Sequence, residues 1–81
     1  MYYTYILRSE KFPNQTYIGS TENLKQRFAD HNAGKSIHTN KFRPWVISAY
    51  IGLPDKERAE RLERYFKSGS GRAFVTRHFF G

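Results

Sequence analysis

The sequence predicts an α+β domain in which a three-stranded antiparallel sheet is flanked by helices, in the order β-β-α-β-α-α. Two short runs rich in aromatic and β-branched residues open the chain, with a turn signal between them. Two later segments carry apolar residues at helical spacing, and a third aromatic run lies between them. The 81 residues are enough for one small domain, which we expect to span residues 1–81.

The first two predicted strands form a hairpin. Residues 2–9 are dominated by tyrosine and aliphatic side chains, which favour a strand. The turn signal Pro13-Asn14 follows, and residues 16–20 form the second strand. Ser20 or Thr21 is then expected to cap the first helix over residues 22–32, and Gly34 to end it.

The second half of the chain is predicted to hold one strand and two helices. Residues 34–44 are polar and basic and predict a loop, followed by a strand over residues 45–51. Asp55 is expected to cap a helix over residues 56–67. The Ser-Gly-Ser-Gly stretch at residues 68–71 predicts a flexible break, and residues 73–80 a short helix or an apolar tail.

Charge points to a polyanionic partner, most simply nucleic acid. Fourteen Lys and Arg oppose seven Asp and Glu, which gives a formal charge of +7. A basic domain that touches ribosomes or anionic membrane non-specifically is the alternative. The lack of cysteine excludes disulfides and thiolate metal sites. No apolar run is long enough to span a membrane and the N-terminus lacks a signal-peptide pattern, so we expect a cytoplasmic protein without a membrane partner.

Each predicted helix carries polar side chains beside its buried stripe. Leu24 and Phe28 define the stripe of the first helix, and Arg27 and His31 lie at its edge. A cation there would border a groove between helix and sheet. The alternatives are an arginine whose stem packs on the core while its head stays in water, and a hydrogen-bonded histidine at a helix end.

Glu63 lies on the margin of the stripe that Ala59, Leu62 and Phe66 form on the second helix. A carboxylate there is placed to hold a hard cation through oxygen. The alternative is a solvated ion pair with Lys67, four residues later.

Tyrosines and a glycine in the predicted strands also admit two interpretations. Tyr5 and Tyr17 are either residues of a site or ordinary strand aromatics. Gly19 permits either a bulge or the close approach of another backbone.

Taken together, the motifs resemble the GIY-YIG nuclease superfamily, in particular its small stand-alone bacterial members. The resemblance covers nearly the whole chain and rests on the order and spacing of these segments. They are Tyr3-Thr4-Tyr5, Tyr17-Ile18-Gly19, Asn23-Leu24, Arg27-Phe28, His31-Asn32, Gly34, Thr39, Pro44-Trp45, Ala59, Glu63, Lys67 and the tail 68–74. The first half-motif lacks the glycine and isoleucine of the family name, a variant common among the small members.

The resemblance implies divalent-metal-dependent cleavage of DNA phosphodiester bonds. Glu63 would bind Mg²⁺ or Mn²⁺, and Arg27 would contact the scissile phosphate. Tyr5 and Tyr17 would line the site and position or activate the attacking water, and His31 would assist as a base. A non-catalytic nucleic-acid-binding module with a vestigial nuclease site is the rival hypothesis.

The expected partner is DNA, with branched and single-stranded DNA among the candidates, and a protein that supplies specificity is a further candidate. The basic loop and the tail contain the expected nucleic-acid contacts, Lys35, Thr39, Lys41, Arg43 and Arg72. The cations among them have no obvious acidic neighbours in the sequence, so we expect them to contact phosphates without base specificity.

Overall fold

The computed structural model describes residues 1–80 and confirms the predicted fold class; Gly81, the last residue of the predicted domain, lies outside the described residues. Three antiparallel strands form one sheet in the order β2-β1-β3. The strands are β1 (Tyr2–Ser9), β2 (Thr16–Thr21) and β3 (Trp45–Leu53). The helices are α1 (Leu24–Asn32), α2 (Lys56–Lys67) and α3 (Gly69–Val75). A 3₁₀ turn, Asn40–Phe42, precedes β3, and a π-helical turn, Thr76–Phe80, follows α3.

Both faces of the sheet are covered, because successive side chains of the central strand point to opposite sides. On one face Tyr5 and Leu7 pack with Trp45 and with the apolar side of α1. On the other face Ile6 packs with Phe66 of α2 and with α3. We call these the α1 face and the α2 face. Within residues 1–80, no helix combines the length and apolarity that crossing a membrane requires.

The first helix starts two residues later than predicted, and its cap differs. Asn23 caps it by accepting a hydrogen bond from the backbone N–H of Gln26 at 3.1 Å. Thr21 does not cap the helix because it still belongs to β2, where it pairs with Tyr3. The helix ends as predicted: Gly34 adopts a positive φ of 79°, which glycine reaches without steric cost.

The second helix has the predicted bounds and the predicted cap. The Asp55 carboxylate accepts a hydrogen bond from the Arg58 backbone N–H at 2.8 Å. Thr4 of β1 donates a buried hydrogen bond to the Ala59 carbonyl at 2.7 Å, which fixes α2 against the sheet. The third strand is two residues longer than predicted, because Gly52 continues the pairing with β1.

The predicted flexible break at residues 68–71 is wrong. Ser68 joins α2 directly to α3: its hydroxyl donates to the Tyr65 carbonyl at 2.6 Å and accepts from the Gly71 N–H at 3.2 Å. Gly71 is buried, and a Cβ at that position would collide with the backbone carbonyl of Tyr65. The glycine is therefore needed for close packing between two helices.

This packing predicts that alanine destabilises the protein at Gly71 and not at Gly69. Gly71→Ala forces the α2–α3 corner apart and should lower the free energy of unfolding by about 2–3 kcal/mol, as overpacked sites do. Gly69→Ala is the matched control, since its Cβ meets no atom within 4 Å. Thermal unfolding of the two variants measures the difference, and equal melting temperatures would contradict the tight corner.

Candidate active site

The five candidate catalytic residues, Tyr5, Tyr17, Arg27, His31 and Glu63, come together beside β2. The Tyr5 hydroxyl lies 2.9 Å from His31 Nε2, and the rings of Tyr17 and His31 are 5.0 Å apart between centroids. Arg27 and Glu63 both lie near enough to Tyr5 to shift the pKa of its hydroxyl. Strands β1 and β2 and helices α1 and α2 thus all contribute to one cluster.

Gly19 leaves the space that the Tyr5 hydroxyl occupies. The two residues are directly paired in the β1–β2 register. A Cβ on Gly19 would lie 2.5 Å from Tyr5 Oη and 3.1 Å from the Tyr17 ring. The close approach at this glycine therefore comes from a side chain, and not from the bulge or second backbone considered from the sequence.

His31 is fully buried, deeper than the helix-edge position predicted from the sequence. Its Nδ1 lies 2.7 Å from Thr39 Oγ1, and its Nε2 faces the Tyr5 hydroxyl. Burial, and next the positive charge of Arg27, lower the pKa of His31 to about 4, although Asp30 opposes the shift. The imidazole is therefore neutral at pH 7, with one ring nitrogen donating a hydrogen bond and the other accepting one.

The Tyr5 hydroxyl keeps its proton at neutral pH. Burial raises the pKa of Tyr5 to about 12, and the hydrogen bond from Arg27 opposes this rise. The charges of Tyr17 and Glu63 raise it further, and the charge of Arg27 lowers it. Tyr5 therefore acts as a hydrogen-bonding group at pH 7, and only added positive charge nearby would help it to ionise.

Glu63 is held by two partners from different elements. Its Oε1 accepts a hydrogen bond from Ser20 Oγ at 2.6 Å, and its Oε2 pairs with Lys67 Nζ at 2.8 Å. The side chain keeps 22% of its surface exposed, against 79% for Glu57, which pairs only with Arg61. The ion pair expected from the sequence is present, yet Glu63 also lies close enough to Tyr5 to raise the pKa of its hydroxyl.

The sequence predicts Ser20 or Thr21 as a helix cap and does not assign the contact between Ser20 and Glu63. The face on which Ser20 lies could have been predicted, because successive side chains on a strand point to opposite faces of the sheet. Gly19 faces Tyr5 on the α1 face, so Ser20 must face α2.

The cluster offers a divalent metal one carboxylate ligand, that of Glu63. Across residues 1–80 no three side chains of the His, Cys, Asp or Glu type lie together as a ready-made metal site. Mg²⁺ commonly binds through one or two carboxylates and completes its shell with water and substrate phosphate. The exposed edge of Glu63 fits that manner of binding, and its two present partners hold the carboxylate in place.

The predicted nucleic-acid contacts do not form one surface. Lys41 and Arg43 are exposed in the loop that precedes β3, and Lys35 is exposed at the end of α1. Lys35 lies 3.7 Å from Asp30, so the expectation that it lacks an acidic neighbour is wrong. Arg72 lies on α3, which packs on the α2 face, whereas Phe42 of the loop packs on the α1 face.

Thr39 has no exposed surface with which to contact nucleic acid. Its hydroxyl bonds to His31, and its carbonyl accepts the indole N–H of Trp45 at 2.8 Å. We therefore revise its expected role from nucleic-acid contact to support of His31.

Burial of neutral His31 predicts a loss of stability in mild acid. The unfolded chain protonates this histidine near 6.5 and the folded protein only near 4, so unfolding takes up a proton between these values. His31 then contributes roughly 3 kcal/mol above pH 6.5, which is lost as the pH falls to 4.

The stability gap between the parent and His31→Gln, measured by urea unfolding, should therefore narrow from pH 7 to pH 4. His38→Gln, at an exposed loop histidine, is the control and should leave a constant offset. A constant offset for His31→Gln as well would contradict a buried neutral imidazole.

Comparison with known proteins identifies a family and several similar proteins. Residues 1–75 match the model of the GIY-YIG catalytic domain. The chain is 35% identical over 81 residues to a UPF0213 protein of Streptococcus pyogenes serotype M3, covering 94% of this chain and 86% of the relative. A solution NMR structure of a UPF0213 protein from Bacillus halodurans superposes with a TM-score of 0.56 at 28% identity, covering 98% of this chain and 87% of that one.

The chain is also similar to fungal proteins named structure-specific endonuclease subunit SLX1. It is 39% identical over 67 residues to that of Malassezia globosa, covering 78% of this chain and 15% of the relative. It is 36% identical over 84 residues to that of Candida dubliniensis, covering 95% of this chain and 28% of the relative. The chain thus spans only 15% and 28% of the lengths of these two relatives. Because the family model matches nearly all of the chain, this protein belongs to the GIY-YIG catalytic domain family.

Proposed function

We propose that this protein is a divalent-metal-dependent endonuclease that hydrolyses phosphodiester bonds in DNA. The observation that carries the proposal is the Glu63 carboxylate, which stands at the rim of a cluster containing Arg27 and two tyrosines. Binding of a polyanion needs positive charge but has no use for a carboxylate among cations. Membership of the GIY-YIG family, and the endonuclease activity named for the SLX1 relatives, support the same reaction class.

Mg²⁺ or Mn²⁺ would be held by Glu63, with water and a substrate phosphate oxygen as the remaining ligands. When bound, the metal would polarise the phosphoryl oxygen and stabilise the leaving alkoxide. Lys67 now pairs with Oε2, so its ammonium would have to leave that oxygen for a cation to bind there. Weak affinity for metal in the absence of DNA follows from the single carboxylate and from this competition.

The other side chains of the cluster would bind the phosphate and orient the attacking water. Arg27 offers a permanent charge and a planar fork that matches a phosphate, and it would stabilise the charge that grows there during cleavage. Tyr17 would orient the attacking water, and Tyr5, which is as buried as His31 and bonded to it, would support Tyr17 from behind. A cation beside Glu63 would also help the Tyr5 phenol to ionise, because nearby positive charge lowers the pKa of a phenol.

His31 acts in this proposal as a positioning residue. It has no exposed surface, so it holds the Tyr5 hydroxyl and does not meet the substrate. This assignment departs from the role of base that the family resemblance implied. Thr39 on its other nitrogen fixes the orientation of the ring.

The loop before β3 would supply additional contacts to the DNA backbone. Lys41 and Arg43 are exposed in the same loop as Thr39, which bonds to His31. A protein partner that supplies specificity is also part of the proposal, since the SLX1 relatives are named as subunits.

Glu63→Gln should lower the rate at which plasmid and branched DNA are cleaved in Mg²⁺ or Mn²⁺ by about a hundredfold or more. The reason is that the amide cannot replace the charged metal ligand. DNA binding should be unchanged or slightly tighter, since a negative charge is removed. Glu57→Gln on the same helix is the matched control, because Glu57 contacts only the exposed Arg61. Equal cleavage by Glu63→Gln and the parent would refute the metal assignment. A parent protein that binds DNA but cleaves none would favour the binding module with a vestigial site.

A further inference from the structure

A groove runs along the outer edge of β2, between that strand and the ends of α2 and α3. Its walls include Arg8, Tyr17, Lys67, Arg72 and Phe80, and we call it the β2 groove. Its volume is about 510 Å³, which lies within the range of roughly 300–1,000 Å³ found for ligand sites. Of its five named residues, only Arg72 was among the nucleic-acid contacts predicted from the sequence.

The charged side chains in the described wall of the β2 groove are all cationic. Arg8, Lys67 and Arg72 line it, and no described residue of its wall carries a carboxylate. Among residues 1–80, the ion pairs involve neither Arg8 nor Arg72. Such a wall attracts a chain of phosphates.

Both arginines are already oriented by the backbone. Arg8 Nε donates to the Pro13 carbonyl at 2.9 Å, and Arg72 Nε donates to the Lys67 carbonyl at 3.1 Å. These bonds leave the terminal nitrogens of each guanidinium for a ligand. Phosphate contacts made through them would cost little side-chain ordering, because the side chains are held before binding.

Two aromatic rings in the groove are of the kind on which unpaired bases stack. Tyr17 and Phe80 lie in its wall, and the Arg8 guanidinium lies 5.2 Å from the centre of the Phe80 ring. Sites for single-stranded nucleic acid combine a basic groove with aromatic or arginine planes on which bases stack. The bases of a duplex are stacked inside the helix and cannot reach such planes.

The groove is continuous with the candidate active site. Tyr17 lines the groove and also contacts His31, with 5.0 Å between the ring centroids. Lys67 lines the groove and also pairs with Glu63 at 2.8 Å. A strand lying in the groove would therefore lead directly to the carboxylate that we propose holds the metal.

From these contacts we infer that the β2 groove binds a single-stranded arm of DNA next to the bond that is cut, an inference that rests on the proposed function. The substrates are then DNAs in which an unpaired strand leaves a duplex. Arg8 and Arg72 contact its phosphates, and the Arg8–Phe80 pair stacks against an unpaired base.

Binding in EDTA tests the groove without any cleavage, by fluorescence anisotropy with labelled oligothymidylate and a blunt duplex of equal length. Arg8→Gln/Arg72→Gln should weaken oligothymidylate binding about tenfold. It should also flatten the log–log salt slope by about 1.4, or 0.7 for each lost single-strand phosphate contact. The matched control, Arg58→Gln/Arg61→Gln, removes two charges from exposed ion pairs of α2 and should change affinity less than twofold.

The single variant Arg72→Gln changes an exposed residue of α3 and replaces the double variant in the test if the double variant unfolds. It should flatten the log–log salt slope of oligothymidylate binding by about half as much as the double variant. Equal losses for the groove and control variants, or equal binding of oligothymidylate and duplex by the parent, would overturn the inference. These results are separable from the nuclease proposal. If the parent cleaves DNA but the groove variants bind normally, only the inference about the groove is refuted. If binding depends on the groove but the parent cleaves no DNA, only the proposed nuclease activity is refuted.

Discussion

The site depends on one buried polar contact, the bond between the Tyr5 hydroxyl and His31. Tyr5 projects from the central strand past Gly19, whose missing side chain leaves room for the hydroxyl. Beyond that gap it meets a histidine that Thr39 holds from the other side. Because buried polar groups are costly unless they are paired, these contacts fix β1, β2, α1 and the loop relative to one another.

This arrangement has electrostatic consequences for the chemistry. Burial keeps His31 neutral and Tyr5 protonated, so the charges of the cluster come chiefly from Arg27, Glu63 and Lys67. Glu63 is paired with one ammonium, that of Lys67, and in the proposed function it exchanges that partner for a metal. The same cluster shares Tyr17 and Lys67 with the β2 groove, so the charges that we propose bind DNA and those that we propose act on the scissile bond lie side by side.

Local patterns predicted the elements well, and contacts between elements account for the errors. The bounds of β1 and α2 follow from strand composition and from the Asp55 cap. The glycines at residues 68–71 indicated flexibility, but Gly71 serves a helix–helix contact that a single sequence does not reveal. Likewise, helical spacing placed Arg27 beside His31, but the depth of His31 depends on Tyr5, which lies far away in the sequence.

Alanine at Gly19 tests most directly whether this gap organises the site. The added Cβ would displace Tyr5, which helps to bury His31, and burial is the main cause of the low pKa of that histidine. The pKa of His31, followed by NMR of its ring protons, should therefore rise from about 4 towards 6.5. Cleavage should fall about a hundredfold in a variant that still folds, as it does when catalytic groups are misplaced by about 1 Å. An unchanged His31 titration together with unchanged cleavage would contradict the account.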